Sequence, residues 1–587
     1  MRSEEAFSGV ASEGQVRADH GVRIFVWSVW IAMLLVAFFC LIKYTQNIPI
    51  AEDWSLVPPL TGHEPNVASW LWSQNNEHRV PLPRLILLLA LWMTHGDFRV
   101  GMVLSIVTLG GLAYAMIRVA QHLRGNRASV TDAFFPLALL HLGNWENLLW
   151  SWQYTFVLSV ALLCGVLLPV ILNGILDTPR SALIAGTCLM LLPLCGGTGL
   201  GFVPLLALWL GYCGFLHLRS GTRTMPRWIG GFLIGSSAVA LTLVGFYFVG
   251  YERAAWNAPS PSVLASIKTA VQFQALGIGT VAAKSWVVSV IAVMAVLLSS
   301  IGLILFTIRR HEESKRLRAW GLLVIFASLV AFAFLMGWGR SGTIAVDGKW
   351  PARYVLLAAP ALCTAYYVWE LYGPRRLRTI VHMGLFLGMC LLLSPNTKRG
   401  FGWRNWYRDG VQKVQHDIET GVPRRILAQR HRDFLIRWVE PARLAAYMQM
   451  LQDARMGPFT GMRADHAVSD ADRGHEAVSD VDGSHEDRRD GEVTRQGGNL
   501  YSRQLQSKVP DDGATEVIPG QHAGHRFPAP PTDGFTKAAG RSQSPRGGSE
   551  PQRVAGYLHT RPLARLTTVS GLAMSLDAAP STNHRKE

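Results

Sequence analysis

The sequence predicts an all-α, polytopic membrane protein of about eleven transmembrane helices, and three observations carry that prediction. Of its 587 residues, 49% are hydrophobic and only 16% are charged, with a mean hydropathy of +0.20. Apolar runs approaching the roughly 20 residues that a bilayer crossing takes recur up to residue 394. Between those runs, Arg and Lys gather in short junctions such as Arg309-Arg310-His311 through Lys315-Arg316-Leu317-Arg318, and Pro374-Arg375-Arg376-Leu377-Arg378. Cytoplasmic loops of membrane proteins have that composition. The formal net charge of +16 is therefore read as membrane topology, and no nucleic acid is expected as a partner.

Taken in order, residues 1–21 form a cytoplasmic N-terminal segment, and the apolar run near 22–43 is the first span. No small-residue cleavage pattern follows that run, so it is expected to be retained rather than removed as a signal peptide. Further spans are placed near 98–117, 130–143, 153–173, 181–195, 199–217, 228–250, 285–307, 319–337, 353–371 and 379–394, giving a transmembrane domain over 22–394. The segment Leu82 to Thr94 decides the parity. Were it a span, the basic stretch Arg118 to Arg127 would fall outside, against the positive-inside rule. Laid instead along the outer surface as an interfacial helix, it puts that stretch inside, together with His217 to Arg227, Arg309 to Arg318 and Pro374 to Arg378.

The first outer loop is then 44–97, and further outer loops hold Leu142 to Trp152, Gly196 to Thr198, Tyr251 to Lys284 and Gly339 to Pro351. The same parity puts a basic, helical segment, 395–459, on the outer side, although its many arginines oppose that placement. Residues 460–587 are rich in Asp, Glu, Arg, Ser, Gly, Pro and His, with a short imperfect repeat at His466 to Asp470 and His475 to Asp480. So few apolar residues cannot offset the cost of ordering, and a disordered tail is expected. All seven cysteines lie in apolar stretches, where they act as small buried hydrophobes and imply no disulfide framework.

The outer loops carry the polar constellations. Glu52-Asp53-Trp54 follows the first span closely, and adjacent carboxylates separate in pKa when one is partly buried, which suits a general base. Asp53 is the first choice and Glu52 the second; the plain alternative is a solvated acidic loop. Glu77-His78-Arg79 sets cationic donors beside a carboxylate at lipid-headgroup depth, where arginine forks onto phosphate, or else simply anchors to headgroups. Asn144-Trp145-Glu146-Asn147 through Trp150-Ser151-Trp152-Gln153 combines amides, a carboxylate and aromatic faces, as either a carbohydrate site or an interfacial belt would. Gly196-Gly197-Thr198-Gly199 is read as a tight membrane turn. Arg340 and Arg353 flank one short outer loop and are placed to hold a phosphate, with Lys349 adding charge.

This arrangement resembles the GT-C-type membrane glycosyltransferases, which use a polyprenyl-phosphate-linked sugar donor. The resemblance rests on Glu52-Asp53 after the first helix, the long first outer loop, and the patches Glu77-His78-Arg79, Glu146-Asn147-Leu148-Leu149-Trp150 and Arg353-Tyr354. It covers about residues 20 to 395, chiefly as topology. It implies a multi-pass protein of the bacterial inner membrane whose active site faces the periplasm, transferring sugar with inversion to a cell-envelope acceptor. Asp53 would then deprotonate the acceptor, while Arg79, Arg340, Arg353 and Lys349 neutralise the donor phosphate. Glu77, His78, Trp145, Glu146, Asn147, Trp150 and Gln153 would contact sugar or acceptor. No cofactor is expected, and a divalent metal stays open without being indicated. A transporter or flippase of lipid-linked saccharide, an oligosaccharide ligase or polymerase, and an inactive assembly subunit stay open.

Overall fold

The computed structural model describes residues 2–220, 226–254, 258–310, 312–347 and 349–462. Their regular elements are all helices, with no strand among them. The expected tail beyond residue 462, including the histidine repeat, lies outside the described residues. In chain order the principal helices are α1 (Arg2–Tyr44), α2 (Pro81–Met93), α3 (Val100–Leu123), α4 (Phe134–Leu140), α5 (Tyr154–Asn173), α6 (Pro179–Leu191), α7 (Val203–Ser220) and α8 (Arg227–Tyr247). They continue as α9 (Val263–Ala275), α10 (Trp286–Arg310), α11 (Glu313–Asp347), α12 (Tyr354–Tyr372), α13 (Arg375–Glu419), α14 (Arg424–Leu435) and α15 (Pro441–Asp453).

Eight helices among the described residues are long and apolar enough to cross a membrane: α1, α3, the α5 region, α8, α10, α11, α12 and α13. Several of them expose large apolar side chains, such as Leu35 and Phe39 on α1 and Val287 and Ile291 on α10, a face that suits hydrocarbon rather than water. By contrast, α12 is buried from Tyr354 to Glu370 and forms the axis of the bundle. The segment expected to lie along the surface is α2, whose 13 residues are too short to cross. Its inner face buries Arg84, Leu87 and Leu91, while Leu89, Trp92 and Met93 are exposed.

Three of the eleven expected spans differ. Over 181–195 and 199–217 the chain makes the shorter apolar helices α6 and α7. Over 130–143 there is no spanning helix, because α4 has only seven residues. Every one of those seven is buried, and the stretch nonetheless runs deep into the bundle. Asp132 accepts a hydrogen bond from the Tyr366 hydroxyl (2.9 Å), whereas Glu146 accepts one from the Arg353 backbone N–H (3.0 Å). Residues 353 and 366 stand about 20 Å apart along α12 at 1.5 Å per residue. Nor does the helix end at Pro395: α13 runs through that proline to Glu419, since losing one backbone donor within a long helix is tolerated. The cysteine reading is corrected at two positions, Cys390, which is exposed, and Cys188, which is half-buried; all seven are free thiols.

The connections sort to two ends of the bundle. At one end Arg124 bridges Asp132 and Glu370, Arg378 also meets Glu370, His217 contacts the Ile175 carbonyl, and Arg318 donates to Leu172 O. These are the basic junctions that charge bias placed together. At the other end lie residues 44–97, residues 141–153 and the 340–353 connection, capped by the C-terminal half of α13 with α14 and α15. Trp145 stacks on Trp403 of α13 at 4.2 Å, and Trp54 packs between Tyr447 and Phe459.

Candidate functional site

A cavity of about 720 Å³ opens at this second end. Its walls come from the turn after α1, the 75–80 loop, the start of α5, the end of α11, the start of α12, and the turn between α14 and α15.

The acidic pair after α1 splits. Ala51 takes a left-handed φ of 51° and starts a 3-10 turn over Ala51–Leu56, which sends neighbouring side chains in different directions. Glu52 lines the cavity, and one of its carboxylate oxygens is buried without a hydrogen-bond partner. Burial raises its pKa above the usual carboxylate range, against the opposing pull of the Arg353 charge. Asp53 turns into the protein, where it is 1% exposed, accepts from the Ile50 N–H (3.4 Å) and lies beside the Trp152 backbone. Burial, and then the charge of Glu52, push Asp53 well above the carboxylate range.

The 75–78 loop is stiff. Asn75 and His78 exchange two backbone hydrogen bonds (2.8 and 3.0 Å) around Asn76, whose φ is 52°. This fixes Glu77 and His78 on the cavity wall, where Glu77 forms an ion pair with Arg340 from α11. Burial lowers the His78 pKa to about 4, so its ring is neutral near pH 7, with Nε2 3.7 Å from Glu77. Gly196 and Gly197 pass directly beside this loop: a Cβ on Gly197 would stand 3.1 Å from His78 Nδ1. The glycine-rich turn therefore serves close packing.

Arg79, next in sequence, is aimed away. Its guanidinium donates to Tyr247 O (3.1 Å), Trp72 O (3.0 Å), Val249 O (3.0 Å) and Gly250 O (2.9 Å), closing the C-terminal end of α8. Arg84 does the same for a short helix, Val67–Trp72, donating to Trp70 O and Ser73 O (both 2.7 Å) under the Trp70 ring. Burial lowers its pKa to about 10.

On the α12 side, Glu146 accepts from the Ala352 N–H (3.3 Å), the Arg353 N–H (3.0 Å) and the Arg353 guanidinium (3.2 Å). Asn147 donates to Arg353 O (2.9 Å). Together they hold the turn into α12 so that Arg353 faces the cavity. Lys349 is exposed on the same wall.

Of the residues singled out by sequence, Glu52, Glu77, His78, Trp150, Gln153, Arg340, Lys349 and Arg353 line this one cavity. Asp53, Arg79, Trp145, Glu146 and Asn147 do not; they build its frame. Sequence reasoning missed Asp433, Arg437 and Trp438, which the turn after α14 brings to the same wall. The only local sign was a charged and aromatic pair, Arg437-Trp438, just ahead of the helix-starting Pro441. Among the described residues, no group of three or more His, Cys, Asp or Glu side chains is arranged to hold a metal ion. Comparison with protein-family models, with curated proteins and with solved structures returns no match.

Proposed function

We propose that this chain is a membrane-embedded glycosyltransferase of the GT-C type, which moves a sugar from a polyprenyl-phosphate donor to a cell-envelope acceptor. One observation carries the reading: a single large cavity at one end of an apolar bundle gathers Glu52 with the cations Arg340, Lys349 and Arg353. An anionic headgroup linked to a sugar needs that combination of charge and volume. The polyprenyl chain stays in the hydrocarbon, and the phosphate meets Arg353, Arg340 and Lys349. Glu52, rather than Asp53, acts as the base, because Glu52 alone of the pair reaches the cavity.

In the reaction the acceptor hydroxyl oxygen attacks the anomeric carbon, and its proton passes to the Glu52 carboxylate. The new bond forms from the face opposite the leaving group, so configuration inverts. The bond from anomeric carbon to phosphate oxygen breaks, and its electron pair leaves with polyprenyl phosphate, whose charge Arg353 and Arg340 stabilise.

The eleven crossings predicted from charge bias belong to this proposal. Eight are the long helices; the remaining three are α6, α7 and the buried stretch through α4. With this parity the cavity faces the periplasm of an inner membrane, and the Arg124 cluster faces the cytoplasm. A transport path finds no support between these ends, where α12 presents buried apolar side chains such as Leu356, Leu357, Leu362 and Cys363.

The test uses the full chain in nanodiscs, given radiolabelled polyprenyl-phosphate hexose and pentose donors with envelope glycan and lipid extracts. Wild-type protein should bind polyprenyl phosphate and transfer label, and Glu52→Gln should bind it and transfer label about 10²–10⁴ times more slowly. Failure of the wild type to bind polyprenyl phosphate, or full transfer by Glu52→Gln, would remove the reading.

A further inference from the structure

The cavity has a second polar wall that the donor phosphate does not explain. The last turn of α14 and the bend after it place Asp433, Arg437 and Trp438 on it. Three anchors hold this turn. Leu435 and Ile436 are buried, Phe434 packs on Trp406 at 5.2 Å, and the Arg432 Nε donates to Arg437 O (2.9 Å) across the bend. One turn back, His431 and Arg430 both meet Asp417 of α13, at 2.8 and 2.7 Å, which fixes α14 to the layer beneath it. The approach is tight enough that a Cβ on Gly410 would stand 2.2 Å from the Phe434 ring.

Against this rigid backing, the groups left facing the cavity are chemically specific. Trp438 is 43% exposed, presenting an open aromatic face. Arg437 has a buried Nη1 with no hydrogen-bond partner, and its Nε lies 4.0 Å from the Asp433 carboxylate, itself 85% exposed. The Arg437 side chain is 38% exposed, so its guanidinium reaches the cavity while one donor stays unmatched within the protein, open to an acceptor on a bound group. An aromatic face beside a guanidinium fork and a carboxylate presents an apolar platform, donors and acceptors at once. A sugar ring offers the complement, C–H on one face and hydroxyls around the edge.

We propose that the Asp433–Trp438 turn is a carbohydrate subsite that holds the acceptor sugar, so that the acceptor is a glycan rather than a protein or a simple lipid. This inference rests on the transferase reading for the word acceptor, and on the turn's own chemistry for the word sugar. The ring bound there has two conceivable sources, the acceptor glycan or the donor's own sugar, and the experiment separates them.

Wild type, Trp438→Ala, Trp438→Phe and Arg437→Gln are each reconstituted in nanodiscs. Saturation-transfer NMR reads binding of maltohexaose, an α-1,6-mannohexaose and an arabinofuranose hexasaccharide, with no donor present. A second measurement compares affinity for polyprenyl phosphate with that for polyprenyl-phosphate hexose. The expected result is saturable binding of at least one hexasaccharide, weakened about tenfold by Trp438→Ala and by Arg437→Gln and restored by Trp438→Phe. Affinity for polyprenyl phosphate should be the same in all four proteins. Absence of hexasaccharide binding to wild type, or equal binding by all four, overturns the proposal. Loss in the variants of the affinity difference between the two lipids, with hexasaccharide binding intact, assigns the turn to the donor's sugar and also overturns it. Failure of wild type to bind polyprenyl phosphate sinks the transferase reading and with it the word acceptor, while hexasaccharide binding, read without that lipid, still decides whether the turn holds a sugar.

Discussion

Glu52 and Asp53 are neighbours in sequence and strangers in space, and that difference decides the roles proposed for them. Burial raises both pKa values, so each carboxyl contributes stability below its ordinary value and loses that contribution as pH rises through the elevated one. At Asp53 the charge reaches no substrate and only costs stability. Asp53→Asn should therefore keep transfer activity and raise the thermal midpoint at pH 8 relative to wild type; loss of transfer in a folded Asp53→Asn protein would return the base to that position. At Glu52 the opposite trade holds, since only the ionised form accepts a proton. Activity should climb with pH through the raised Glu52 pKa while thermal stability declines, and Glu52→Gln should abolish the activity limb with a fall of about 10²–10⁴ in rate. Sequence pointed to this dipeptide but favoured Asp53, because spacing carries no record of the left-handed turn at Ala51 that separates the two. Arg79 was misjudged for a related reason. An arginine beside Glu77 looks like a phosphate ligand, yet four backbone carbonyls consume its donors. Arg79→Ala should destabilise the protein by about 3 kcal/mol, seen as a lower thermal midpoint, and leave the donor affinity of the folded fraction unchanged.

At the scale of elements, the segments that position the site are those with the least freedom to move. The glycine turn ahead of α7 is the clearest case: a Cβ on Gly199 would fall 1.8 Å from the Leu192 carbonyl oxygen, whereas one on Gly231, within α8, would meet nothing within 4 Å. Gly199→Ala should sharply reduce the yield of folded protein measured by size-exclusion chromatography in detergent. Gly231→Ala should leave the yield unchanged or improve it, given alanine's better helix propensity. Equal yields from the two would mean that the turn yields to a methyl group and does not hold the His78 loop in place. The length of α2 was legible from its sequence, since Pro81 opens the helix at a favoured position and its apolar run is short. The continuation of α13 through Pro395 was not legible. Proline usually marks a helix end, yet the turns after this one stay helical, with Trp406 and Tyr407 packed against Phe434 of α14.

For the whole molecule, charge bias read the two ends of the bundle well: each short basic junction sorted by sequence lies at the Arg124 end, and the polar loops lie at the other. Length alone read the crossings less well, because the stretch through α4 is buried on all sides and needs no lipid-facing helix to traverse the bundle. The wall built by Asp433, Arg437 and Trp438 was beyond local pattern altogether, since nothing in the spacing of residues 424–438 reports that they meet Glu52 and Arg353. The shared cavity has a consequence for topology. Whichever compartment holds the first outer loop must also hold the basic segment after α13, despite the cost of translocating its arginines. In a Cys390→Ser background, His63→Cys and Glu440→Cys should react with a membrane-impermeant maleimide in intact spheroplasts, and Arg127→Cys should react only after permeabilisation. All three positions are exposed, so silence cannot come from burial. Labelling of His63→Cys and Glu440→Cys from opposite sides would break the cavity apart, and with it every role proposed for Glu52. Labelling of both from the cytoplasmic side would keep the cavity but turn it toward the cytoplasm, where a periplasmic acceptor could not reach the base.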